Sequence, residues 1–201
     1  MDIKKIFSNQ RTIVIAALVL ICIAFAAITP DKFLQITTFT NIAKSAYYVA
    51  FMAIGVTFVI GTGGIDLSIG TIAICSALIG GTLMEKGVPM GIVLLVILLS
   101  GALFGLINGL MVAKMGLPAF IATLGTMMMS RGLGSIVSGT KTISFPQGDS
   151  AGAWFREFFM ITKDGGILPK NFPTGFVLLA VIAVVMALIL NKTKTGRYIL
   201  S

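Results

Sequence analysis

The chain has 201 residues, 57% of them hydrophobic and 11% charged, with a mean hydropathy of +1.03, whereas a soluble domain runs at roughly 45–50% apolar and about 25% charged. A soluble globular protein is excluded, and the chain is an integral membrane protein whose first partner is the lipid bilayer. The net charge of +8 does not indicate nucleic acid, because the basic residues sit at the ends and in the loops of apolar segments and form no stripe.

A membrane span needs about 20 apolar residues, within a range of roughly 17–25. Six stretches qualify, and they predict an all-α, polytopic transmembrane helix bundle forming one membrane domain over 1–201. The first covers about 12–28 and stops before Pro30-Asp31. Lys4, Lys5 and Arg11 precede it and Ala24-Phe25-Ala26 lies near its end, in imitation of a cleavable secretory signal. It is longer than a usual signal core and more membrane follows, so a retained span is expected.

The second span covers about 43–60 and the third about 67–84. Between them GTGGIDLSIG (61–70) breaks the apolar run. Backbone polar groups at membrane depth must be satisfied internally, so such a break is tolerated only where protein or a water-filled cavity surrounds it. Gly63 and Gly64 supply backbone freedom. Asp66 and Ser68 stand just before an apolar run, as N-cap residues do. Two readings stay open here: a plain helix cap, or a cap that also faces a cavity and bonds the hydroxyls of a polar solute.

Glu85-Lys86-Gly87 and Pro89 turn the chain into the fourth span, about 90–113. Gly101, Gly105 and Gly109 recur there every four residues, the pattern of close helix packing, and Asn108 beside them is able to bond across helices or line a pathway. The fifth span, about 118–138, carries Thr123, Thr126, Ser130 and Arg131. Thr123 and Thr126 join the candidate pathway, while Arg131 reads first as a snorkelling cation and second as a solute contact. A polar loop over about 139–173 leads to the sixth span, about 176–190. Lys4, Lys5 and Arg11 at one end and Lys192, Lys194 and Arg197 at the other place both termini in the cytoplasm.

The chain has no histidine, and its two cysteines, Cys22 and Cys75, sit in apolar runs as small hydrophobes. No metal site, paired carboxylates or nucleophile–base pair is expected, and no P-loop is present. The chain is read as not an enzyme, with no cofactor of its own.

GTGGIDLSIG (61–70), GLINGLMVAKMGLPAFIATLGTMMMSRGL (105–133) and NKTKTGRYI (191–199) resemble, in order, the permease subunits of bacterial ATP-binding-cassette importers of the ribose, xylose and galactose type. The resemblance implies a monosaccharide pathway that works by alternating access in the bacterial inner membrane. It also implies a second permease copy, two cytoplasmic ATPase subunits that bind the ATP, and an extracytoplasmic sugar-binding protein. Family members continue past the GRYI element into a coupling helix and more spans, so the sequence to Ser201 reads as the N-terminal portion. The alternatives are a truncated, non-transporting interaction protein that binds through Gly101, Gly105 and Gly109, or a permease for another solute such as branched-chain amino acids.

Overall fold

A computed structural model describes residues 10–148, 150–160 and 173–200. Lys4, Lys5, Asp149, Lys163 and Asp164, which bear on orientation and on the long loop, lie outside the described residues. The described residues are helical and contain no strand. The helices are α1 (Gln10–Ile28), α2 (Pro30–Phe33), α3 (Ile36–Gly61), α4 (Ile69–Glu85), α5 (Met90–Ala113), α6 (Ala119–Ser138), α7 (Gly175–Lys192) and α8 (Lys194–Leu200), with a 3₁₀ turn at Ala153–Phe158. Helices α3, α5, α6 and α7, of 26, 24, 20 and 18 residues, are long and apolar enough to cross a membrane. Thr12–Ile28 and Ile69–Glu85 are shorter apolar helices at the low end of the spanning range. The polytopic helical bundle expected from the sequence is therefore present, with the glycine break between α3 and α4.

Two boundaries differ from expectation for identifiable reasons. Helix α3 starts at Ile36 rather than near Ala43 because its polar first turns satisfy themselves: Thr40 donates to the Thr37 carbonyl at 2.8 Å and Ser45 to that of Asn41 at 3.2 Å. Helix α4 starts at Ile69 rather than Leu67 because Asp66 folds the chain into a turn over Ser68.

Contacts group the chain into two compact units, 1–46 and 47–201. In the first, Phe33 stacks on Phe25 with centroids 5.8 Å apart and meets Phe39 at 6.1 Å, while Thr38 donates to the Lys32 carbonyl at 2.7 Å. These contacts turn the chain from α1 through α2 into α3.

In the second unit α4 is the central helix and packs against both α5 and α6. It buries Ile72, Cys75, Ser76, Gly80 and Gly81, a helical stripe with the period expected of a core-facing surface. Lipid is as apolar as leucine, so helices in a membrane associate by close packing at small residues. Gly80 lies under Val93 and Ile97 of α5, and Gly134 of α6 lies against Cys75 and Leu78. Helix α6 ends where Gly139 adopts φ +59°, a left-handed cap that suits glycine.

A second contact point forms around Tyr47, which is fully buried. Phe51 and Phe176 meet its ring edge-on at 6.1 and 5.7 Å, and Gly175 opens α7 directly against the ring. A Cβ on Gly175 would come 3.0–3.2 Å from three Tyr47 ring carbons. Gly175→Val should therefore cost about 1–3 kcal/mol by overpacking and lower the thermal unfolding midpoint in detergent. An unchanged midpoint would show that α7 does not dock on Tyr47.

Candidate functional site

The segment between α3 and α4 is held by a continuous chain of hydrogen bonds. Gly63 takes φ +75°, a left-handed conformation open to glycine at no steric cost, and turns the chain back after α3. Asp66 Oδ1 then accepts two hydrogen bonds from Ser68, at 2.7 Å from the backbone N–H and 2.6 Å from the hydroxyl. This is an Asx turn. Ser68, not Asp66, holds the cap position of α4, and its side chain makes no capping bond. The hydroxyl is used elsewhere.

Ser68 Oγ accepts from Asn108 Nδ2 of α5 at 3.0 Å, and Asn108 Oδ1 accepts from Thr126 Oγ1 of α6 at 2.8 Å. Thr123, one turn earlier on α6, accepts from the Leu67 N–H at 3.3 Å and lies 3.2 Å from the Ile65 carbonyl oxygen. Ser68, Asn108, Thr123 and Thr126 are all buried. A buried hydroxyl or amide without a partner is costly, and here each partner comes from a different element. Both bonds to Asp66 fall on Oδ1, so Oδ2 has no hydrogen-bond partner among the described residues.

The same bonds fix depth. Asn108 lies about 7.5 Å inside the Ala113 end of α5, and Thr126 about 10 Å inside the Ala119 end of α6, at 1.5 Å per residue. Ser68 is bonded to Asn108, so α4 begins one to two turns within the layer that α5 and α6 span. Part of the membrane thickness is crossed by irregular backbone, and a helix of 17 residues is enough for the remainder.

A cleft of about 680 Å³ opens beside this segment. Of the residues singled out in the sequence, Gly63, Gly64, Asp66, Asn108 and Thr123 line it, whereas Ser68 and Thr126 stand behind its wall and position the others. The glycine series on α5 divides. Gly101 faces Ser76 of α4, whose Oγ is 3.7 Å from where a Cβ would stand. Gly105 and Gly109 line the cleft, with nothing within 4 Å of a Cβ at either.

The 113–119 connection also contributes, through Gly116, Leu117 and Pro118 among others. The sequence reading gave Gly116 and Pro118 no part in the candidate pathway and so missed this wall. It also missed the link between α4 and α6 at Thr71 and Ser130, whose hydroxyls are 2.9 Å apart. Thr71 Oγ1 in turn donates to the Ser68 carbonyl at 2.8 Å. Polar positions within the spans were the available signal, but their pairing is set by depth.

Residues 38–201 match the family described as branched-chain amino acid transport system / permease component. The chain is 38% identical over 152 residues to the fructose import permease protein FruG of Bifidobacterium longum, covering 76% of this chain and 44% of that one. It is 32% identical over 198 residues to the ribose import permease protein RbsC of Haemophilus influenzae, covering 98% and 58%. It is 35% identical over 193 residues to the fructose import permease protein FrcC of Rhizobium meliloti, covering 96% and 53%. The chain thus spans about half the length of the curated relatives it matches. No solved structure matches it.

Asn108→Leu removes the donor to Ser68 and the acceptor for Thr126 together, and should destabilise the protein by about 1–3 kcal/mol. Thr126→Val should cost less alone and almost nothing further in the Asn108→Leu background, because the two share one bond. Thermal unfolding of the four proteins in detergent tests this, and additive losses would mean that Asn108 and Thr126 are not coupled.

Proposed function

The chain belongs to the family of branched-chain amino acid transport system permease components, and from that premise we propose that it forms the solute pathway of an ATP-binding-cassette importer for monosaccharides, working by alternating access. The observation that carries this reading is the cleft itself. Its volume of about 680 Å³ falls within the range of small-molecule sites. Its wall combines a carboxylate, an amide and hydroxyls with two glycines that leave space for a solute. Such a surface is costly against lipid and suits a hydrated polyol. The relatives named as fructose and ribose import permeases support the monosaccharide class.

The proposed partners are those the family implies. ATP is bound by separate cytoplasmic ATPase subunits, and sugar arrives from an extracytoplasmic binding protein. A second permease copy completes the pathway in the bacterial inner membrane. Basic residues support the orientation: Lys114, Lys192, Lys194 and Arg197 follow the ends of α5 and α7, and Ile199 of α8 packs at Gly61, the last residue of α3. By the positive-inside rule this end, with the cleft, is cytoplasmic.

The test is uptake of labelled pentoses and hexoses by cells that carry the whole gene product with its ATPase and binding protein. Gly109→Leu fills the cleft without displacing a neighbour, and Asp66→Asn removes its charge. Both should lower uptake at least about tenfold at equal membrane levels. Wild-type uptake in both variants would remove the cleft from the pathway.

A further inference from the structure

A second concavity, of mixed polar and apolar lining, lies on the seam between α4 and α6, deeper in the membrane than the cleft. It holds about 370 Å³ and is lined by Thr71, Ile74, Cys75, Ser130, Arg131 and Ser135, among others. Arg131 is exposed at its edge and makes no ion pair among the described residues. It lies about 10 Å below the Ser138 end of α6 at 1.5 Å per residue. A charged side chain at such depth faces a cavity or a partner in preference to lipid.

The surroundings distinguish this arginine from one that merely snorkels. Ile74, Cys75 and Leu78 give the arginine stem the apolar wall that snorkelling needs, but the guanidinium shares this groove with three hydroxyl residues, which a purely snorkelling side chain does not require. One of them, Ser130, is 2.9 Å from Thr71, which donates to the Ser68 carbonyl. A line of polar groups therefore runs up the seam from the glycine break to the guanidinium. On the opposite face of α6, Met129, Leu133 and Ile136 are exposed apolar residues. One side of α6 suits lipid, and the other suits a polar solute.

Resting on the importer reading above, we infer that this groove is a second solute station, in which Arg131 donates hydrogen bonds to the hydroxyl oxygens of a neutral monosaccharide crossing the outer half of the membrane. The guanidinium offers five donors and no acceptor, which fits hydroxyl oxygens and repels cations.

The test uses cysteine accessibility in the whole importer, with Cys22 and Cys75 replaced by alanine and a charged, membrane-impermeant methanethiosulfonate applied to both right-side-out and inside-out membrane vesicles. Ile74→Cys places a thiol in the groove near the middle of the layer, Met129→Cys one on the apolar face and Thr62→Cys one at the cleft. Modification of Ile74→Cys but not Met129→Cys, slowed severalfold by saturating ribose or fructose, is the expected result. An unreactive Ile74→Cys beside a reactive Thr62→Cys overturns the groove and leaves the cleft standing, while silence at both positions overturns the cleft as well. Reaction at Ile74→Cys that neither sugar slows also overturns the station. Independently, Arg131→Met should lower uptake about tenfold and Arg131→Lys should restore part of it. Wild-type uptake by Arg131→Met would reduce Arg131 to a snorkelling residue.

Discussion

The second unit depends on one run of hydrogen bonds, from the Asp66 carboxylate through the Ser68 hydroxyl and the Asn108 amide to the Thr126 hydroxyl. It ties the glycine break to α5 and α6 at once. Ser68 and Asn108 each use a donor and an acceptor in a matching sense, so the bonds run unbroken from Asp66 Oδ1 to Thr126. In a medium that offers no water, such continuity is what permits irregular backbone at depth. The cleft is a consequence of the same arrangement, since the segment that Asp66 and Ser68 hold in place forms one of its walls.

Glycine serves two opposite purposes in this unit. At Gly80, Gly134 and Gly175 a neighbouring side chain occupies the place a Cβ would take, and helices or rings approach through the missing atom. At Gly105 and Gly109 nothing fills that place, and the missing atoms become part of the cleft. The spacing of Gly101, Gly105 and Gly109 is regular, yet only the first packs on a neighbouring helix among the described residues. A family of transport permeases has use for both, a tight frame and an open lane within it.

Much of this was legible in the sequence. Long apolar stretches located six of the helices approximately, though not the short α2 and α8, and the polar residues in and beside them included the members of the hydrogen-bonded chain. What periodicity does not carry is relative depth. Ser68 reads as a cap for α4 when that helix is considered alone, and its hydroxyl is committed to Asn108 only because α4 starts one to two turns inside the layer. The same shift brings Thr71 level with Ser130. The division of the α5 glycines was hidden for a related reason: a four-residue spacing defines a face of α5, and the end of α3 together with the 113–119 connection decides which part of that face is covered.

The late arrival of its partners sets the order in which the second unit is able to assemble. Asn108 and Thr126 follow Ser68 and Asp66 by dozens of residues, and Asn108 alone is 40 positions downstream of Ser68. When the ribosome delivers the glycine break, the groups that will satisfy it have not been made. A short helix that opens on an aspartate is a poor candidate for release into lipid by itself. The bonded form of α4 therefore exists only once α5 and α6 have been made, and the three helices depend on one another for it.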